Sequence, residues 1–180
     1  IKLATMKFIE LEKELKRFSK YVIQQARTRL TKENKNKGQL YKTLSSDIDQ
    51  EKDAFLIEFL MEDYGAFVDK GVRGKTGYYA DQYTSNSPFR FGTGSGPKGG
   101  LTKGIDKWLK KKKFQWRNEQ GQFMSYKSMR YLIVKSIYNK GLKATMFFGL
   151  PYQRGVHRFS DKFLEAFALD IDKNLIFGEQ

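Results

Sequence analysis

Apolar side chains recur every three or four residues between positions 5 and 31 of the chain. This spacing places them on one stripe of an amphipathic helix. The polar run 32–38 ends in a glycine and is expected to end the helix. The pattern therefore predicts a long N-terminal helix with one apolar stripe. The stripe consists of Phe8, Leu11, Leu15, Phe18, Val22, Ala26 and Leu30.

A β pattern follows between positions 40 and 62. Residues 40–48 alternate weakly between apolar and polar side chains, whereas residues 54–62 are apolar on both faces of a strand. A strand that is apolar on both faces is typical of the centre of a sheet, where both sides are covered. The acidic segment 47–53 favours a turn. We therefore expect two strands that this segment joins into a hairpin.

The periodicity weakens after the hairpin. Residues 64–70 are compatible with one helical turn that points Phe67 and Val68 inward. No period is sustained between residues 71 and 100, and residues 92–100 contain five glycines in nine positions. A loop of this length is long for a compact domain, and such loops are usually functional or mobile. We therefore expect a functional loop in this part of the chain.

Helical periodicity returns after the loop. Apolar positions predict a short helix over residues 101–109 and another helix over 126–137, which Gly141 closes. Residues 114–124 between these helices fit a small hairpin or a structured loop. Residues 144–148 are short and apolar, and we expect a third strand there.

A final helix completes the predicted order of elements. Its apolar positions extend over residues 163–175, and Ser160 is expected to be its N-cap. The order indicates an α+β fold in which a long N-terminal helix and a C-terminal helix pack on a small, mostly antiparallel sheet. We expect a single domain over residues 1–180, with residues 72–124 as an extended, basic, Gly/Lys-rich loop and helix insertion.

The composition excludes several kinds of site. The chain has no Cys, which excludes disulfides, thiolate zinc sites and cysteine nucleophiles. His157 is its single histidine, so a metal site with several His ligands is also excluded. No apolar run approaches the roughly 18 residues that a transmembrane helix requires. We therefore predict no metal, no cofactor and no membrane span.

The net charge is the most informative property of the composition. With 34 Lys and Arg against 20 Asp and Glu, the chain carries +14. Such an excess indicates an anionic partner, most often nucleic acid, and less often a membrane surface or an acidic protein. The charge is unevenly distributed: +8 in residues 1–42, −4 in 43–97, +7 in 98–117, +6 in 118–158 and −3 in 159–180.

The segment 98–117 concentrates positive charge around one predicted helix. We define its cations as the lysine ridge, which consists of Lys98, Lys103, Lys107, Lys110, Lys111, Lys112, Lys113 and Arg117. Leu101, Ile105, Trp108 and Leu109 give the helix an apolar side that can dock on a body. Lysines suit contacts with phosphates rather than with base edges. A solvated face that keeps the protein in solution and a surface for an acidic protein are the alternatives.

Two other patterns suggest chemistry only weakly. Residues 94–99 match the letters GxGxxG, but Pro97 removes a backbone donor and no strand precedes the motif, which favours a loop. Carboxylates near the hairpin suggest a Mg²⁺-dependent nuclease, although solvated acids at strand ends explain them better. These acids are Asp47, Asp49, Glu58, Glu62 and Asp63. Nothing in the sequence resembles an active site, so no enzymatic activity is expected.

Four segments in this order resemble the tail-completion, or neck, proteins of tailed bacteriophages. They are YGAFVDKGVRG (64–74), SPFRFGTG (87–94), GIDKW (104–108) and LIVKSIYNKG (132–141). The likeness follows the order of elements along the whole chain. The chain departs from smaller members of the family in its enlarged segment 92–124.

The resemblance implies a structural virion protein without enzymatic activity, cofactor, membrane contact or small-molecule substrate. Such proteins assemble in the host cytoplasm into a closed homo-oligomeric ring, six- or twelve-fold, in the phage neck or head–tail connector. The ring joins the portal or adaptor ring to the tail or the next ring protein, and genomic DNA passes through its lumen without sequence specificity. Asp69, Lys70, Arg73, Lys75 and Arg90 are then expected at loop and subunit contacts.

Combined with the charge pattern, the resemblance places the lysine ridge at the DNA channel or against a neighbouring ring. A ring subunit needs head-to-tail contacts that close, and a wall passed by DNA should attract phosphates without gripping bases. The alternative from another class is a free-standing nucleic-acid-binding protein without sequence specificity.

Overall fold

The structure is a computed structural model that describes residues 7–51, 54–79, 81–92 and 99–177. Within these ranges it is a mixture of helices and short antiparallel strands, which confirms the α+β class. In chain order the elements are α1 (Ile9–Lys32), α2 (Gln39–Thr43), β1 (Ser45–Gln50), β2 (Phe55–Leu60), α3 (Gly65–Lys70), β3 (Val72–Arg73), α4 (Gln82–Ser85), α5 (Gly100–Lys112), α6 (Tyr126–Lys140), β4 (Gly141–Leu142) and α7 (Gly149–Phe177).

The fold divides into two compact units. Unit 1 is formed by the chain up to Gly65 and from Thr145 onward, and unit 2 is formed by Ala66–Ala144. Unit 1 contains the two long helices and the β1–β2 pair, whereas unit 2 contains the segment for which the sequence predicts a basic insertion. The single-domain organisation stays a prediction.

In unit 1, α1 and α7 run antiparallel and pack beside the β1–β2 hairpin. Phe18 and Val22 of α1 are buried against Phe159 of α7, and Ile57 and Phe59 of β2 pack on the same cluster. Burial of each such side chain contributes about 1.5–3 kcal/mol, so this cluster is a main source of stability for unit 1. The predicted packing of N- and C-terminal helices on a small antiparallel sheet is confirmed.

The first turn of α1 is capped by a residue from α7. The backbone N–H groups of Glu10 and Leu11 donate to the two carboxylate oxygens of Asp170, at 3.0 and 2.8 Å. Asp170 is buried, and it supplies acceptors to donors that no residue within the helix can pair. The contact fixes the register between the two long helices.

The predicted strand at 40–48 is partly wrong. Residues 39–43 form α2 because Leu40 and Leu44 are both buried one helical turn apart, and Leu44 donates its N–H to the Leu40 carbonyl. The strand starts at Ser45, so Asp47 and Asp49 lie within β1 rather than in a turn.

The second strand has one covered face rather than two. In β2, Ile57 and Phe59 face the core, while Leu56 and Leu60 on the other face are 45% and 51% exposed. The sheet has two strands, and the helices cover only one of its sides. The prediction of a central strand that is covered on both sides is therefore wrong.

The C-terminal helix begins earlier than the sequence suggests. The predicted strand 144–148 is absent, and α7 begins at Gly149, with Pro151 in its first turn, where proline is well tolerated. Ser160 is therefore inside the helix instead of capping it, and its hydroxyl donates to the carbonyl of His157 at 3.2 Å.

In unit 2, the two-residue strands β3 and β4 pair antiparallel, with Val72 opposite Leu142 and Arg73 opposite Gly141. Glycines permit the close approach: a Cβ on Gly74 would overlap backbone atoms of Asn139 and Gly141. The unit also contains most of α3, the short helix α4 and the α5–α6 pair, in which Leu109 and Met129 are buried.

Several local predictions within unit 2 are confirmed. The helices α5 and α6 occupy the predicted positions, and Gly141 ends α6 with a φ of 90°. An antiparallel bridge between Arg117 and Phe123 makes residues 114–124 a hairpin-like loop. The prediction that Phe67 points inward is wrong. Its side chain is 43% exposed, and the centre of its ring lies 4.4 Å from that of Phe89.

Candidate functional site

The lysine ridge lies on and directly after α5. Leu109 is buried, Leu101 and Ile105 are half-buried, and the lysines of the helix are exposed. Trp108, expected on the docking side, is also largely exposed. Lys98 lies outside the described residues. The described ridge residues are Lys103, Lys107, Lys110, Lys111, Lys112, Lys113 and Arg117, and each of them is exposed.

Few acids of unit 2 are available to neutralise this charge. Lys110 and Arg130 bind the carboxylate of Asp106 at 2.8 and 3.0 Å. The hydrogen bond from Lys110, together with that from Arg130, holds the pKa of Asp106 below its usual value against a smaller opposing effect of burial. Asp69 is 6% exposed. Glu119, another of the four acids in the unit, is exposed and belongs to the 114–124 loop.

The remaining acid, Asp81, caps the short helix α4. Its Oδ1 accepts the backbone N–H groups of Tyr83 and Thr84, and its Oδ2 accepts the Thr84 hydroxyl at 2.7 Å. Burial opposes ionisation of the carboxyl, but the hydrogen bonds from Thr84 and Tyr83, together with the charge of Lys143, lower its pKa overall. The charge of Asp81 is thus directed at backbone donors.

The two units differ sharply in net charge. The sequence of unit 2 has 17 Lys and Arg against 4 Asp and Glu, a net charge of +13. The sequence of unit 1 has 17 Lys and Arg against 16 Asp and Glu, a net charge of +1. Nearly all of the excess therefore belongs to one unit, where it produces a strong positive field.

The predicted contact residues do not all share one environment. Arg73, Lys75 and Arg90 line a common cleft of about 500 Å³, together with Lys140. Lys70 is exposed at the end of α3, and Asp69 beside it is buried. Sequence patterns did not connect Lys140 to this group, because its position depends on the pairing of β3 with β4.

Unit 1 has a different kind of surface, which is apolar. Among the exposed large apolar residues of α7, four fall within about 100° of arc at 100° per residue. We define them as the α7 apolar stripe, which consists of Val156, Leu164, Phe167 and Leu175. Exposed apolar patches of this kind mark interaction surfaces.

The weaker chemical motifs find little support. Asp47 and Glu58 are cross-strand partners in the hairpin, yet no group of three His, Cys, Asp or Glu side chains within the described residues is arranged to hold a metal ion. His157 is exposed on α7. Five of the six residues of the GxGxxG match, 94–98, lie outside the described residues.

None of the helices in the described part of the chain combines the length and the apolar character that crossing a membrane requires. Comparison of the chain with models of protein families, with characterised proteins and with solved structures finds no match.

Proposed function

We propose that this chain is a non-enzymatic virion protein that forms a homo-oligomeric ring in the neck, or head–tail connector, of a tailed bacteriophage. The ring would join the portal or adaptor ring to the tail and surround the DNA channel. The observation that carries the proposal is the division of charge, with +13 on unit 2 and +1 on unit 1. The four ordered segments that resemble neck proteins give the proposal its particular form.

A ring subunit around DNA needs two different surfaces. One must bind copies of itself, which favours apolar side chains and few uncompensated charges. The α7 apolar stripe, on the nearly neutral unit 1, has this character. The other surface must attract phosphates without reading bases, and the exposed lysines of α5 on unit 2 suit that task.

The mass of the protein in solution tests the proposal. We expect the full chain to form a large, discrete oligomer in sedimentation velocity at micromolar concentration. Leu164→Glu should dissociate it, because a carboxylate replaces a side chain that is 70% exposed in the stripe.

Leu169→Glu is the matched control for this test. Leu169 is also an exposed leucine of α7, 53% exposed, but it lies about 140° around the helix from Leu164 at 100° per residue. It should leave the oligomer intact. A wild-type chain that stays monomeric, alone and with a portal ring, contradicts the proposal.

A free-standing nucleic-acid-binding protein is the second candidate, and a specific observation favours it. Trp108, Phe114 and Trp116 are exposed beside the lysine ridge, and the Phe114 ring contacts each tryptophan edge to face. Exposed aromatic rings among cations are typical of proteins that stack on single-stranded bases. This candidate predicts a small species whose DNA affinity falls steeply with salt.

A further inference from the structure

Unit 2 contains a cleft with a cationic lining. Arg73, Lys75, Arg90 and Lys140 contribute to its walls, and no Asp or Glu among the described residues does. Its volume of about 500 Å³ lies within the range of small-ligand sites, roughly 300–1,000 Å³. Like charges gathered around one space repel one another unless an anion enters.

Backbone pairing holds the two arginines side by side. Arg73 donates its N–H to the Phe89 carbonyl at 2.9 Å, and its own carbonyl accepts the Phe91 N–H at 2.9 Å. Arg90 lies between those two residues, so its segment runs beside β3 and forms a parallel bridge with Arg73. Backbone pairing therefore fixes the main-chain positions from which the two guanidinium groups extend.

The two lysines are brought together by the end of α6. Lys75 donates its N–H to the Tyr138 carbonyl at 3.1 Å, and Thr76 donates to the Asn139 carbonyl at 3.0 Å. These bonds hold the segment after β3 against the residues just before Lys140. The ammonium group of Lys140 lies 4.7 Å from the centre of the Tyr78 ring, which supports its charge without neutralising it.

Arg73, on β3, has an unsatisfied hydrogen-bond donor. Its Nε is buried and has no hydrogen-bond partner. Among the described residues, none of the four cations of the cleft forms an ion pair with a carboxylate. A buried guanidinium donor without an acceptor is costly, so an anion that supplies one would be bound favourably.

We propose that this cleft is a phosphate-binding site. Arg73 and Arg90 present guanidinium groups, whose planar donor geometry matches two oxygens of one phosphate, and Lys75 and Lys140 add charge without directional demands. The shared chemistry is a phosphate group. Its expected source is the DNA backbone, and to that extent the inference rests on the proposed function; a free phosphorylated molecule is the other source.

The first test keeps the charge and changes the geometry. Arg73→Lys combined with Arg90→Lys preserves every positive charge but removes both guanidinium groups and their planar pairs of donors. We expect about a tenfold loss of affinity for a short, fluorescein-labelled DNA duplex and for inorganic pyrophosphate, from anisotropy titration and calorimetry. Arg90→Lys alone, on an exposed residue, should show part of this loss and guards against misfolding of the double variant.

The second test removes charge at matched positions. Lys75→Gln with Lys140→Gln takes two charges from the cleft, and Lys127→Gln with Lys135→Gln takes two exposed charges from α6 outside its lining. The cleft pair of substitutions should weaken pyrophosphate binding several-fold. It should also reduce the slope of log DNA affinity against log salt concentration by the equivalent of about two phosphate contacts. The α6 pair should leave pyrophosphate affinity within twofold of wild type.

The outcomes separate the site from the ring. If the Arg73→Lys, Arg90→Lys variant binds both DNA and pyrophosphate with wild-type affinity, the proposal of a phosphate-binding site in the cleft is wrong. Loss of pyrophosphate binding with unchanged DNA binding supports the site and assigns it to a free phosphorylated molecule. Oligomer mass, measured separately on the same samples, bears on the ring proposal and does not depend on the cleft.

Discussion

At the scale of single residues, glycines make the short pairing of β3 with β4 possible. Gly74 packs against the backbone of Asn139 and Gly141 so closely that a Cβ would overlap both. The cleft cations Arg73 and Lys75 flank this glycine. The geometry of the cleft therefore depends on a residue that carries no charge itself.

Gly74→Ala should destabilise the protein by about 1–3 kcal/mol, because backbone atoms must move to admit the methyl group. Gly104→Ala is the control: Gly104 lies in α5, with no neighbouring atom within 4 Å of its added Cβ, and alanine should stabilise the helix by about 0.5–1 kcal/mol. Urea unfolding followed by circular dichroism measures both. Equal effects of the two substitutions would disprove the close approach at Gly74.

A second residue-scale feature is the cap of α4, which includes the cleft residues Thr84 and Ser85. Asp81→Ala should cost about 1 kcal/mol, whereas Asp81→Asn should keep most of the cap. Because the folded protein lowers the pKa of Asp81, its contribution is complete above the ordinary value of 3.8 and is lost as the pH falls through the lower folded value. The stability gap between wild type and the alanine variant should therefore shrink below pH 3.8, while the gap between the asparagine and alanine variants persists. A gap that widens on acidification contradicts this assignment.

At the scale of elements, the antiparallel pair of α1 and α7 organises unit 1. The apolar stripe of α1 predicts the helix and its buried face correctly, since Phe18, Val22, Ala26 and Leu30 are buried. Helical periodicity of this length depends on local sequence, and it can be read without knowledge of the rest of the fold.

Other elements depend on contacts that are distant in sequence. Asp170 caps α1 from a position about 160 residues away, and no local signal near Glu10 announces it. The start of α7 cannot be located from local sequence, because the apolar run before Gly149 fits a strand as well as a buried turn. Short apolar runs leave strand and non-strand structures undecided until tertiary packing is known.

The α1–α7 pair gives an element-scale prediction. Phe18→Ala should destabilise the protein by about 3–5 kcal/mol, because Phe18 is buried among rings of α7 and β2. Ile9→Ala, at a residue of α1 that is 61% exposed, should change stability by no more than about 0.5 kcal/mol. Thermal unfolding of both variants measures the difference, and a comparable loss for Ile9→Ala would place the packing face of α1 elsewhere.

At the scale of the whole molecule, the decisive property is the division of charge. Sums along the sequence find excess charge in residues 1–42 as well as in 98–158. Folding changes this picture, because the acids of residues 43–65 and of α7 belong to the same unit as α1. The N-terminal excess is thereby compensated within unit 1.

Unit 2 has only four acids for its 17 Lys and Arg, so little compensation is possible there. The lysine ridge could be predicted from sequence because its residues fall within one short segment, 98–117. The cleft instead draws on three separated segments, which the β3–β4 pairing and the bridge between Arg73 and Arg90 unite. A contiguous run of lysines is visible in any sequence, but a site assembled by strand pairing requires the fold.

Imaging of the assembled ring tests the central claim most directly. Electron cryomicroscopy of the oligomer formed by the full chain locates Lys107–Lys113 relative to the ring axis. The account predicts a closed ring in which these lysines line the lumen or face the adjoining ring, with α7 between neighbouring subunits. A closed ring that carries these lysines on its outer rim, or a chain that forms no ring, would contradict it.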